Sequence, residues 1–353
     1  MERERTKNRL GRFLALAVTA VVLRGVGLLA DDAETSAPPQ PKPFQATTEV
    51  ALSNGFWTLS GKPTYAGTRA KGLLFNVRMV HALFEDRNDK TRPDGFDADA
   101  NTARFVASLP KYAAQGVLAF TVNLQGGDPG YEGALNSAFA SDGTLRGSYI
   151  ARAAQIIEAC DAAGLVVILG CLSPNQDQHL EDSAAIREAV VGTAAWVHSR
   201  GYKNVLLEVA DDHLQAGYDH EKLHDPTLVA SLIRAAREAA PGLLISASGA
   251  PNGRVNHLVA GASDFLLLHF HRVPSEQVFR RSASAAKHVK ALVCNADAKT
   301  GEAAVSTLES AVQALCSWGY ANPKNERHPF RFDGPEDDPE FYGKLRDLTT
   351  KGP

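Results

Sequence analysis

The chain has 353 residues, 44% of them hydrophobic, with 37 Lys and Arg against 40 Asp and Glu and a formal net charge of −3. That apolar content suffices for one barrel-sized core, and no block of basic residues outside the extreme N-terminus offers a surface for nucleic acid. The four cysteines (Cys160, Cys171, Cys294 and Cys316) lack the spacing of a structural metal site. They are expected as buried free thiols, with a Cys294–Cys316 bridge open only if their strands are neighbours.

Residues 1–30 have the pattern of an export signal. Arg3, Arg5, Lys7, Arg9 and Arg12 precede an apolar run that starts at Phe13, and Ala30 offers a cleavage position. Arg24 interrupts the run and argues against a stable membrane span. The expected location is periplasmic or extracellular, with an N-terminal membrane anchor as the alternative should cleavage fail. Residues 31–45 include Ala37-Pro38-Pro39-Gln40-Pro41-Lys42-Pro43, the composition of an extended linker. Residues 46–66 hold two short alternating runs around Asn54-Gly55, the signal of a β-hairpin that plugs or caps the large domain after it.

From residue 67 to 353 the pattern is strand, loop, helix, repeated. Strands are expected at 72–77, 117–124, 165–172, 205–210, 243–247, 265–270, 291–295 and 314–320. Helical patterns fall at 99–115, 147–163, 183–200, 226–240, 255–262, 274–289, 301–313 and 338–349. Gly164 and Gly201 stop helices just before strands. Strict alternation gives a parallel sheet and an α/β class. Eight repeats predict a closed (β/α)8 TIM barrel with an N-terminal β-hairpin. No glycine-rich dinucleotide fingerprint follows the first strand, which disfavours an open doubly wound sheet.

Barrels of this kind work at the C-terminal ends of their strands. There the sequence places Arg78 on the first strand, Asn123 and Gln125 on the second with Tyr131 in the loop beyond, and Asp211, Asp212 and His213 on the fourth. His269 and His271 follow on the sixth, Asn295, Ala296 and Asp297 on the seventh, and Trp318 on the eighth. Glu208 lies deeper in the fourth strand, where it is expected to hold Arg78 or another polar neighbour. Together these groups suit a small-molecule site.

In order and kind, these features resemble the clan A glycoside hydrolases, closest to the cellulase-like family 5 barrels, over about residues 46 to 345. The segment ending in Asp211-Asp212 matches the strand that ends Asn-Glu in the family. Leu268-His269-Phe270-His271 matches its His-x-Tyr strand, Asn295-Ala296 the strand that ends in the nucleophilic glutamate, and Ser317-Trp318-Gly319 the strand whose tryptophan lies under the sugar. Retaining hydrolysis needs two carboxyl groups across the scissile bond. The resemblance implies that Asp212 stands at the acid position, one methylene short, and that Ala296 stands at the nucleophile position, where it cannot attack.

Three functions are compatible with these residues. The first is a glycan-binding barrel with its retaining pair degenerate, in which Arg78, Asn123, Gln125, Tyr131, Asp211, His269, His271 and Trp318 contact the sugar. The second is an active O-glycosyl hydrolase using Asp212 with Asp297. The third, ranked last, is a metal-dependent hydrolase using His269 and His271. No metal and no cofactor are expected, since no further strand-tip histidine completes a ligand set. The expected partner is an oligo- or polysaccharide, not nucleic acid.

Overall fold

The computed structural model describes residues 44–351; the expected export segment and all but the end of the expected linker lie outside them. The described chain opens with a small antiparallel sheet of β1 (Val50–Ser53), β2 (Phe56–Leu59) and β3 (Lys62–Pro63). Asn54 and Gly55 both take positive φ, 51° and 80°, as a two-residue hairpin turn requires. The third strand extends the expected hairpin by one short rung.

The hairpin closes the N-terminal end of a barrel. Val50 donates its amide to the Lys203 carbonyl at 2.9 Å and Trp57 to that of Gly72 at 3.0 Å, both just ahead of barrel strands. Trp57 is buried against Phe265, ring centroids 5.4 Å apart, in a cluster with Val166, Leu206 and Val293 from the barrel interior. An indole thus fills the lowest layer of the barrel, where burial of an aromatic ring is most stabilising.

The barrel alternates strands and helices: β4 (Asn76–Arg78), α1 (Ala98–Ala113), β5 (Ala119–Asn123), α2 (Gly147–Ala162), β6 (Val166–Leu172), α3 (Ser183–Arg200), β7 (Val205–Ala210) and α4 (Pro226–Ala239). It continues with β8 (Leu244–Ser246), α5 (His257–Ala262), β9 (Leu266–His269), α6 (Ser275–Ala285), β10 (Leu292–Ala296), α7 (Gly301–Gln313), β11 (Cys316–Ser317), β12 (Gly319–Tyr320), α8 (Pro323–Glu326) and α9 (Pro339–Thr349). Helix starts are set by side-chain caps: Asp97, Asp182 and Asp225 accept from the first free amides of α1, α3 and α4. Gly201, at φ 75°, ends α3 as expected.

Closure is achieved by one split strand. The parallel order β12-β4-β5-β6-β7-β8 forms one arc and β11-β10-β9 another. A bridge from Ser248 to Leu267 joins β8 to β9, and β11 and β12 are halves of one strand interrupted at Trp318. Its first half pairs with β10 and its second with β4. Gly319 is required there, because a Cβ would come within 2.3 Å of Asn76 Oδ1 and 2.5 Å of the Cys294 carbonyl oxygen. The expected first strand begins late, at Asn76, because the Leu74 amide is taken by the Ser317 hydroxyl at 2.8 Å. The helix expected over 274–289 tightens at Ala286–His288 into a 3-10 turn.

Alternation sorts the side chains. On β7, Leu206 packs in the interior cluster while Val205, Leu207 and Val209 pack outward against the helices. All four cysteines are buried and free, so Cys294 and Cys316 do not bridge although their strands are neighbours. Among the described residues no helix is long and apolar enough to cross a membrane.

Candidate functional site

The interior turns polar at or just below the strand ends. Register places Asn123, Gly170, Glu208 and Ser246 side by side at one level on β5, β6, β7 and β8. Glu208 shares the inward face of Leu206 and is fully buried. On β10 a register shift between Cys294 and Ala296 leaves Asn295 as the extra residue, and its amide donates to Glu208 Oε2 at 2.8 Å. The polar group that the seventh barrel strand gives the site is therefore a carboxamide. Ala296 follows it, fully buried and without chemistry of its own.

Beyond β7 the chain is pinned as it turns. The Asp211 amide bonds the Leu172 carbonyl at 2.9 Å, and the Asp212 amide bonds the Ser248 hydroxyl at 2.8 Å. Asp212 has φ 50°, a left-handed conformation that aspartate tolerates better than most residues. The turn lets two consecutive carboxylates flank one imidazole. Asp212 Oδ1 lies 2.8 Å from His269 Nδ1, and Asp211 Oδ1 lies 3.5 Å from Nε2. Neither contact is aligned as a hydrogen bond, so they act as ion pairs.

Arg78 neutralises the other side. Its Nη2 stands 2.5 Å from Asp211 Oδ2 and its Nε 3.1 Å from Glu326 Oε1. Asn123 Nδ2 donates to Ser173 Oγ at 3.0 Å and to Asp211 Oδ2 at 3.3 Å. Burial works against these charges, and the neighbours decide the outcome. Burial would lower Arg78, but Asp211, Glu326 and Glu208 together raise it. Burial would also lower His269, but Asp212, Asp211 and Glu208 lift it to about 9, so it holds a proton at neutral pH. Burial raises Asp211, yet Arg78 and His269 bring it below the usual carboxylate range. Burial and the charge of Asp211 push Glu208 up.

Above this floor lies a cavity of about 410 Å³ lined by Arg78, His81, Asn175, Asp211, Asp212, His271 and Glu326, among others. Gly127 also lines it; at φ 85° its Cβ would lie 2.4 Å from His81 Nε2, so glycine keeps this wall thin. Of the expected site residues, Arg78, Asp211, Asp212 and His271 line the cavity, and Asn123 and His269 lie under it. His271 is at the exposed rim, its ring 5.6 Å from that of His269.

Other expected contacts fall elsewhere. Gln125 is used within the scaffold, donating to Ser137 and the Gln176 carbonyl, both at 3.2 Å. Tyr131 bonds Asp86 at 3.2 Å and faces an adjoining cavity that shares Gly127, Asp128 and Asn175 with the first. Trp318 is 1% exposed, packed against Phe341 at 5.3 Å, and its indole N–H is donated to Asp297 Oδ2 at 3.1 Å. It lines neither cavity, so the stacking platform expected there is absent from the described site. Asp297 is held at 2.8 Å by Lys299 through both oxygens and does not line the cavity either. Glu208, expected to hold Arg78 or another polar neighbour, meets Asn295 and His269, while Asp211 and Glu326 take the arginine.

Two cavity residues were not assigned to the site from the sequence: Glu326, which stands among the polar residues beyond the eighth strand, and His81. A guanidinium buried on a first strand needs more than one acid, and that need is the signal by which Glu326 could have been sought. Glu208, Asp211 and His269 each offer one ligand atom within 4.8 Å of the others, the one such group among the described residues that could hold a metal ion.

Neither protein-family models nor curated proteins give a match to this chain. Solved structures give many, and they define the class: the fold is that of the family 5 glycoside hydrolase barrels. A broad-specificity endoglucanase from Clostridium longisporum aligns at a TM-score of 0.55 and 9% identity, over 83% of this chain and 98% of that one. An endo-1,4-beta-mannanase from Eisenia fetida aligns at 0.57 and 9%, over 87% and 96%. A mutant of a family 5 enzyme from Prevotella bryantii, solved with a xyloglucan tetradecasaccharide, aligns at 0.58 and 9%, over 82% and 99%.

Proposed function

We propose that the barrel binds a carbohydrate in its C-terminal cavity and does not carry out retaining glycosidase chemistry. The observation that carries this reading is that the four acids placed nearest the expected catalytic positions each stand against a basic side chain. Asp211 and Glu326 are paired with Arg78, Asp212 with His269, and Asp297 with Lys299. A retaining nucleophile must be a carboxylate free to attack the anomeric carbon about 5–5.5 Å from the acid. The seventh strand supplies Asn295 and Ala296 there instead. A polar cavity with a guanidinium, acids and imidazoles suits hydroxyl-rich ligands, and one protein of this fold is solved with a xyloglucan oligosaccharide. The alternative pair of Asp212 with Asp297 is weakened because Asp297 is spent on Lys299 and Trp318 and does not line the cavity.

Calorimetric titration with cello-, manno- and xyloglucan oligosaccharides should show saturable binding that His271→Ala weakens. Aryl glycosides should survive incubation with the wild-type protein. Cleavage with retention of configuration, lost in Asp212→Asn, would sink the reading. We also propose export, from the basic run and apolar segment of residues 1–30. Mass spectrometry of the exported protein should find an N-terminal peptide starting at Asp31; an intact cytosolic N-terminus would contradict it.

A further inference from the structure

We propose that Glu208, Asp211 and His269 form a binding site for one divalent transition-metal ion of the zinc or manganese class. This goes beyond the carbohydrate reading and does not depend on it. It also replaces the expectation of no metal, with ligands other than the His269 and His271 pair.

Three buried atoms face one another without partners. Glu208 Oε1, Asp211 Oδ1 and His269 Nε2 have no hydrogen-bond partner, on residues that are 0%, 6% and 1% exposed. An unpartnered buried carboxylate oxygen is costly, and three converging on one point need a common partner. His269 Nε2 lies 3.5 Å from Asp211 Oδ1 and 4.0 Å from Glu208 Oε1. Oxygen and nitrogen ligands about 2.1 Å from a tetrahedral ion stand roughly 3.4 Å apart, so Asp211 already stands near that spacing from His269 Nε2 and Glu208 has about 0.6 Å to close.

The second observation is what holds the far side of each ligand. Metal-binding histidines commonly give their other ring nitrogen to a carboxylate, and ligating carboxylates are themselves hydrogen-bonded. Here His269 Nδ1 sits 2.8 Å from Asp212, Glu208 Oε2 accepts from Asn295 at 2.8 Å, and Asp211 Oδ2 meets Arg78 at 2.5 Å. Both carboxylates are hydrogen-bonded through the oxygen that the ion does not use, and the imidazole faces Asp212 as an ion pair.

Charge agrees with geometry. Four carboxylates (Glu208, Asp211, Asp212 and Glu326) share one guanidinium and one imidazole. A dication displaces the imidazole proton and still leaves the cluster closer to neutral. Mixed imidazole and carboxylate ligation favours zinc or manganese over calcium or magnesium. Asp211 lines the cavity, so the ion is reached from it. His271, at the rim, takes no part.

The full chain is stripped with a chelator and titrated with zinc chloride and manganese chloride by calorimetry, with metal content measured after dialysis. Wild type should bind one equivalent, and cobalt(II) should give a visible ligand-field spectrum. Glu208→Gln should weaken binding at least tenfold, and Asp212→Asn by about 10- to 100-fold through the histidine. Glu309→Gln, which removes an acid of α7 paired with Lys344 and outside the cluster and the cavity, should stay within about threefold. If Glu208→Gln fails to fold, His269→Gln serves the same comparison. The proposal is overturned if stripped wild type shows no saturable binding up to millimolar ion, or if Glu208→Gln and His269→Gln bind as wild type does. It is equally overturned if Glu309→Gln loses as much affinity as they do.

Discussion

His81 is fully buried under the cavity wall, its ring stacked on Phe330 with centroids 4.8 Å apart. Burial, and then the charge of Arg78, push it down to about 3 from an ordinary 6.5. Between those values the unfolded chain carries a proton that the folded chain does not. Folding stability therefore rises with pH through this window; the contribution is fully present above about 6.5 and is lost as pH falls toward 3, at up to about 1.4 kcal/mol per pH unit. Melting temperature should drop between pH 7 and pH 5, and His81→Gln should flatten part of that drop. A profile of unchanged slope in the variant would place the acid sensitivity elsewhere. At this scale the sequence was a partial guide. Arg78, Asp211 and His269 were legible because strand-tip chemistry follows from the barrel rule. Glu326 was legible only as a polar residue beyond the eighth strand, because its place in the site comes from the partner it meets, Arg78 on the first barrel strand.

At the scale of elements the barrel was legible almost strand by strand. Residues 205–210 are apolar except for Glu208 and bounded by polar residues, and the observed β7 has the same bounds. The helices announced themselves by caps: Asp182 before α3 and Gly201 after it are local signals that need no tertiary context. The seventh strand shows where local signals stop. Its last residues look alike in sequence whether or not a bulge intervenes, and the shift at Asn295 decides which side chain faces inward. Counting by twos from Val293 identifies Asn295 as inward, but what lies beyond the bulge cannot be assigned by counting. Asp297 accordingly meets Trp318, a residue of the outer core, where the sequence had offered both to the site.

At the scale of the molecule the barrel depends on a seam of very few residues. β12 contributes only Gly319 and Tyr320 to its pairing with β4. At Gly319 an added methyl would press on the carbonyl of Cys294, which is backbone and cannot rotate away. Gly319→Ala should therefore destabilise the fold by about 1–3 kcal/mol, the range for overpacking a filled core. Urea unfolding should show this as a lower midpoint, together with faster amide exchange in β4. A midpoint equal to wild type would mean that the seam opens freely enough to admit the methyl. The closed topology itself was expected from eight repeats, but this dependence on one glycine was not, since it arises from three strands crowding one point.

The split last strand also has a consequence in time. The Leu74 amide and the Ser317 hydroxyl that meets it are 243 residues apart. A ribosome adding about 5–20 residues per second needs roughly 12 to 50 seconds to cover that interval. Until that interval is covered, the partner for the other side of the first barrel strand does not exist, and an unpaired strand edge is a template for another chain. The nascent protein thus passes through a stage in which its neighbours on the same message offer the same unfinished edge. Whatever shields that edge, whether sparse expression or a chaperone, governs the yield of folded barrel as much as the stability of the finished one.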